Sequence, residues 1–257
     1  MNRDGKYIYC IIASEHDFNF GPVGIGGRGD SVVTIGTDDL RMVVSDHPLT
    51  RFVVNPENIL SHQKVLEEVM KEFNAVLPLK FGTVAATPDE IRDLLFRRQH
   101  EFMELLRVYE NKVEINLKCR WKHMEEIFLE IKNENTEVLN ITKEIEFLES
   151  DEEKKMILAK AGEKVKTALA EKKENEAEKI ISMFRNVVFD YKLKPTRSDE
   201  LFLDTALLIN SGREKEIDFL IEDISDLYGG RVNLTYTSAL PVYSFIDIKI
   251  FPEEWQT

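Results

Sequence analysis

Asn55-Pro-Glu-Asn-Ile-Leu-Ser-His-Gln-Lys-Val-Leu-Glu-Glu-Val-Met70, continued by Val76-Leu-Pro-Leu-Lys-Phe-Gly-Thr-Val84, reads as a helix followed by a strand. Asn55 can cap the helix, Pro56 suits its first position because the missing N–H would be unpaired there anyway, and Glu57 complements the positive helix end. Ile59, His62, Leu66, Val69 and Phe73 recur at spacings of three and four, making one apolar stripe, while Lys64, Glu67, Glu68 and Lys71 face elsewhere. That stripe requires a sheet beneath it. Leu77–Gly82 supplies one strand, and Pro78, which removes a ladder donor, together with Gly82 makes it short, at an edge or bulged.

Upstream, Tyr7-Ile-Tyr-Cys-Ile-Ile-Ala13 is apolar on both alternating sets, as expected of a central strand covered on both faces or of one with an aromatic outer face. Gly24 to Gly29 formally satisfies Gly-x-Gly-x-x-Gly. Ser31-Val-Val-Thr-Ile-Gly36 after it reads as another strand, so no helix N-terminus is on offer to a pyrophosphate and the stretch is a loop. Thr37-Asp-Asp39 turns the chain into a third strand at Leu40–Ser45. Downstream, Thr87-Pro-Asp-Glu90 repeats the grammar of cap, proline and acids, opening a second helix through Tyr109 with Ile91, Leu94, Leu95, Phe102, Leu105 and Leu106 inward and Arg97-Arg98 solvated. Val113, Ile115, Leu117, Cys119 and Trp121 alternate against Glu114, Asn116, Lys118 and Arg120, a strand with one dry and one wet face. It closes an N-terminal mixed-sheet α+β domain, residues 1–121.

A second domain, residues 122–257, begins with a charge-dense helical segment, 122–191, in pieces at Glu125–Ile131, Thr142–Glu149 and Glu152–Asp190. Its apolar stripe is interrupted by the polar run Ala170–Lys179, which reads as the solvated turn of a long helix rather than a coiled-coil seam. Leu201–Asn210 returns to strand. Ser211-Gly-Arg-Glu214 has capping-box spacing, and the helix it opens turns Ile217, Leu220, Ile221, Ile224, Leu227 and Tyr228 inward before Gly229-Gly230 stops it. Val232–Tyr236 and Ile246–Ile250 read as strands joined by a turn at Ala239–Phe245. The β-α-β-β run over 199–251, covered by the helical segment, fits a ferredoxin-like α+β domain.

A chain of 257 residues accommodates two such domains. With 43% apolar and 32% charged residues, no apolar run approaches the ~20 a membrane helix needs. Met1–Lys6 leads directly into a strand without the pattern of a secretory signal, an expectation of a cytoplasmic protein. Cys10 and Cys119 fall far apart in apolar strands and read as buried reduced thiols. A balance of 34 basic against 47 acidic residues, net −13, argues against nucleic acid or an anionic lipid membrane as partner. His16, His47, His62, His100 and His123 form no ligand or catalytic constellation, and no zinc, nucleophile-elbow or phosphate-loop motif is present. No catalytic, metal or cofactor residue is therefore expected. His62, on the apolar stripe, reads as a hydrogen-bonded core histidine.

Asn55-Pro-x-Asn-Ile-Leu-x-His62 followed by Leu77-Pro-x-Lys-Phe-Gly82 closely resembles the N-terminal segment of the gas vesicle protein F/L family. Leu203-Asp-Thr-Ala-Leu-Leu-Ile209 and Leu240-Pro-Val-Tyr-Ser-Phe245 are similar to that family's C-terminal signatures, although Thr237-Ser-Ala-Leu240 replaces the usual Gly-Pro-Leu or Gly-Pro-Trp. The resemblance covers residues 6–121 and 200–250 and does not separate F-type from L-type. It implies an accessory or minor structural protein of the gas vesicle, a non-enzyme whose partners are the small hydrophobic shell protein and other accessory proteins. The competing classes are a small-molecule-binding α+β enzyme and a general acidic chaperone. Two stretches are expected to dock a protein partner: the short strand with Leu77, Pro78, Leu79 and Phe81, and the aromatic turn with Pro241, Tyr243 and Phe245.

Overall fold

The structure, a computed structural model, describes residues 4–48, 54–146 and 150–250. The chain divides into two compact units, one made of the residues up to Glu114 together with those from Ala239 onward, the other of Ile115–Ser238.

The first unit is built on strand β1 (Asp4–Ala13), which pairs antiparallel with β4 (Leu40–Pro48) from Asp4↔Pro48 to Ala13↔Leu40. β3 (Val32–Thr37) continues the sheet from β4, and β2 (Asn19–Gly21) continues it from β3. On the other side of β1 lie β5 (Leu77–Pro78) and β6 (Val84–Ala85). The segment bearing Pro78 is thus two residues long and ends the sheet, as its missing donor requires. A bulge between Ile8 and Cys10 resets the alternation of β1. Tyr7, Tyr9, Cys10 and Ile12 therefore join one core with Val65, Leu66 and Val69 of helix α1 (Pro56–Glu72). Ile8 and Ile11 join a second core with Ile91, Leu94 and Leu95 of α2 (Pro88–Arg97) and Phe102 and Leu106 of α3 (Gln99–Val108). The central strand is buried on both faces, which is why both of its alternating sets are apolar.

Helix α1 starts where the sequence says, with Asn55 Oδ1 accepting the Asn58 N–H at 2.8 Å and Pro56 in the first turn. Its stripe is narrower than expected, because Ile59 is 46% exposed and Phe73 half-buried. The helix expected from Thr87 through Tyr109 is two helices: the backbone of Arg98, at φ −111° and ψ 20°, leaves the helical region between α2 and α3. Gly24–Gly29 is a loop feeding β3, with positive φ at Gly26, Gly27 and Gly29.

The second unit begins on β7 (Lys112–Trp121), whose residues Leu117–Trp121 pair with β10 (Val232–Tyr236). Between them run α4 (Met124–Glu134), α5 (Thr136–Glu146), α6 (Asp151–Phe184), β8 (Val188–Leu193), β9 (Leu201–Asn210) and α7 (Glu214–Leu227). The sheet order is β10-β7-β9-β8, so the unit is a βαββαβ sandwich of ferredoxin-like kind. The expected ferredoxin-like class stands, but with different strands in it. β7, expected to close the first domain, is the opening strand here, and the boundary expected at 121/122 falls at 114/115. Residues 188–191, expected to be helical, belong to β8. Ile246–Ile250, expected as the last strand, carries no regular structure and belongs to the first unit. α5 spans Thr136–Glu146 rather than 142–149, and residues 147–149 lie outside the described residues. Ala170–Lys179 stays helical inside the 34-residue α6. The capping box at Ser211 does not form: α7 starts at Glu214 with Arg213 as its flanking residue and no side-chain cap, and Arg213 instead pairs with Glu216.

Candidate functional site

Packing against the sheet of the first unit leaves His62 only 4% exposed. An imidazole taken from water needs a partner at each nitrogen. Nδ1 lies 2.9 Å from the Tyr7 hydroxyl and Nε2 lies 2.8 Å from the Tyr243 hydroxyl. The Gly82 N–H already donates to the Tyr7 oxygen at 3.1 Å. The arrangement using each group once has Tyr7 donating to Nδ1 and Nε2–H donating to Tyr243, which makes His62 the neutral Nε2-protonated tautomer. Burial lowers its pKa to about 4 and pushes the Tyr7 phenol up. Rings close the shell: Tyr9, Tyr7 and Phe81 lie 5.4, 5.7 and 5.7 Å from His62 between centroids. Tyr9 is itself held by Ser45 at 2.8 Å and accepts the Ile25 N–H at 2.8 Å, fastening the glycine loop to the sheet.

The tail that brings Tyr243 to His62 is tied down residue by residue. Leu240 bridges Glu114 through both backbone directions, each at 2.8 Å. The Glu114 carboxylate, 1% exposed, accepts from the Ser244 N–H at 2.6 Å and the Ser244 hydroxyl at 2.7 Å. Tyr109 donates to the Phe245 carbonyl at 2.9 Å, Arg98 to the Lys249 carbonyl at 2.7 Å, and Lys80 pairs with Asp247 at 3.0 Å. Val242, Phe245 and Ile248 are buried. Two expectations fail here for one reason: Glu114 and Arg98 count as solvent-facing from strand and helix periodicity alone, but a segment more than a hundred residues later covers both.

The two stretches expected to dock a partner are thus in one unit, the Phe81 ring and the Tyr243 hydroxyl meeting at His62. They are not an open apolar surface. Leu77, Pro78, Leu79, Pro241 and Phe245 are buried in the first unit, because each fills its core rather than its exterior. Phe81 is half-buried and Tyr243 is 38% exposed, its hydroxyl turned inward and its phenol raised by burial. Ile59, one helical turn before His62, adds exposed apolar surface on the same side of α1.

Elsewhere the polar groups satisfy one another. Glu130 takes Lys172 at 3.1 Å and Arg231 at 2.6 Å, and Tyr228 donates to Glu176 at 2.7 Å, so the cleft lined by α4 and α6 is a web of ion pairs. Cys10 and Cys119 are both buried thiols, and burial pushes Cys119 up to about 12. Among the described residues no group of three or more His, Cys, Asp or Glu could hold a metal, and no helix is long and apolar enough to cross a membrane.

The chain is 27% identical over 248 residues to gas vesicle protein F of Streptomyces sp. (strain CB03234), covering 94% of this chain and 99% of that one. It is 25% identical over 255 residues to gas vesicle protein F1 of Halobacterium salinarum, covering 98% of each. Its fold is that of the gas vesicle protein GvpF crystal structure from Anabaena sp. PCC7120, with a TM-score of 0.82 at 19% identity over 96% of this chain and 100% of that one. The GvpF crystal structure from Microcystis aeruginosa matches with a TM-score of 0.76 at 21% identity, over 95% and 99%. The family model described as gas vesicle synthesis protein GvpL/GvpF matches residues 5–247, and the chain belongs to that family.

Proposed function

We propose that the protein assists gas vesicle assembly as a non-enzymatic accessory factor that binds the small, strongly apolar shell protein and limits its aggregation before it joins the growing wall. Family membership supports the gas vesicle setting. The observation that carries the contact is the apolar rim beside His62: Ile59 at 46% and Tyr243 at 38% exposure beside the half-buried Phe81. These side chains stand on a helix and a strapped tail whose positions the buried hydrogen bonds fix, so the rim meets a client without first being ordered. A net charge of −13 gives a complex with an apolar client colloidal solubility. In this reading the protein works in the cytoplasm and at the vesicle, alongside other accessory proteins.

The test is co-expression with the shell protein. The wild-type chain raises the client's soluble fraction and co-purifies with it in raised salt, since the contact is apolar. Ile59→Asp, at an exposed position, abolishes the gain while leaving the fold intact. A strain lacking the gene and any paralogue that still forms normal vesicles in normal number overturns the assembly role itself.

A further inference from the structure

Strand β8 ends the sheet of the second unit, and among the described strands it is the least covered. Phe189 is 67% exposed, Tyr191 45% and Leu193 62%, three large apolar side chains within five residues of a sheet edge. Single exposed apolar residues are ordinary; an apolar edge strand is a pairing template that a soluble protein covers. Between them stand Asp190 and Lys192, so the segment has no net charge within a chain of net −13. Two copies, each of net charge −13, repel one another, and this segment adds no net charge to that repulsion.

We propose that β8 is a self-association surface, on which two copies of the chain pair antiparallel about a two-fold axis at Tyr191. The sequence Phe-Asp-Tyr-Lys-Leu is self-complementary in that register alone. Phe189 falls opposite Leu193 of the second copy, Asp190 opposite Lys192, and Tyr191 opposite Tyr191. Parallel pairing in register would set acid on acid and base on base. An isologous contact of this kind makes every favourable pair twice.

The backbone is oriented for it. Lys194 N–H donates inward to the Asp204 carbonyl of β9 at 2.8 Å, so by alternation Tyr191 and Leu193 direct their backbone groups away from β9. In the single copy the Tyr191 N–H is held by its neighbour Asp190, whose Oδ1 accepts it at 2.8 Å. Pairing gives that N–H to the Tyr191 carbonyl of the second copy and releases the Asp190 carboxylate to face Lys192 across the axis. The bulge between Val188 and Asp190 falls at Phe189 and ends the regular strand there, so the ladder is confined to the few residues about Tyr191 and the dimer is concentration-dependent.

A charge-swap cycle read by sedimentation equilibrium on the full chain tests the register. Wild type shows a monomer–dimer equilibrium. Asp190→Lys or Lys192→Asp each places two like-charge pairs across the axis and weakens dimerisation about tenfold. The double variant Asp190→Lys/Lys192→Asp restores it. Circular dichroism verifies that these exposed substitutions leave the fold unchanged. A wild-type chain that is monomeric at every concentration, single variants that dimerise as wild type does, or a double variant no better than the singles each overturns the proposal. The first of these is the outcome expected if β8 pairs only with a strand of a different protein.

Discussion

Acid should loosen the first unit through His62 by an amount the structure specifies. Its folded pKa is about 4 against 6.5 for an unhindered imidazole, because burial disfavours the cation. A histidine with a depressed folded pKa is neutral in the fold and protonated in the unfolded chain between those two values. The unfolded state therefore binds more protons there, and stability falls as pH drops from 6.5 to about 4. The separation of the two pKa values corresponds to about 3 kcal/mol at the low end. Protonation also converts Nδ1 from acceptor to donor, against a Tyr7 oxygen that already accepts the Gly82 N–H. The assay is urea unfolding of wild type and His62→Gln across that window. His62→Gln starts less stable, since glutamine does not fill the ring's place between Tyr7, Tyr9 and Phe81, but its acid decline is shallower by about 3 kcal/mol. Carboxylates held low by cationic partners, such as Glu101 beside Arg98, weaken both chains alike in acid and cancel in the comparison. Parallel curves for the two chains would refute the reasoning.

Leu66→Ala, at a position with no exposure, should cost about 2–5 kcal/mol by urea midpoint, and Phe73→Ala, half-buried at the end of α1, less than that. Glu114→Ala removes both acceptors of Ser244 and should cost at least about 2 kcal/mol while accelerating amide exchange at Ser244, with protection elsewhere in α1 showing whether the loss is confined to the tail. Asn55→Ala removes the cap on Asn58 and should cost about 1 kcal/mol, with Asn55→Asp holding close to wild type in the same denaturation experiment.

Local grammar was legible wherever a residue acts on its own neighbourhood. Asn55 and Thr87 cap the helices they precede, Pro78 confines its strand to the sheet's end, and β1 is apolar on both sides because two helical layers cover it. His62 was readable as a satisfied core histidine because it sits on an apolar stripe. Its partners were not, since Tyr7 and Tyr243 lie 55 and 181 residues away. Ile246-Asp-Ile-Lys-Ile250 alternates as a strand does, yet the first unit takes it as irregular backbone with Ile248 in its core. Periodicity reports which side chains are buried, and not whether a neighbouring strand is there to pair. The same blindness put Glu114 on a wet face. A strand edge marked by Pro78 and Gly82 and an aromatic turn at Pro241–Phe245 suggest docking surface in the sequence, yet Leu77, Pro78, Leu79, Pro241 and Phe245 are interior.

The tail also imposes an order on synthesis. Residues 115–238 form an uninterrupted unit, inserted between two pieces of the other. Glu114 leaves the ribosome 130 residues before Ser244, whose N–H and hydroxyl both donate to its carboxylate in the folded unit. The later-made unit can thus close while the earlier one waits, its Tyr7–His62 contact available but Tyr243 not yet at His62 Nε2 and the place of Ile248 in its core unfilled. Cutting the chain after Ser238 would accordingly damage the half of the protein made first.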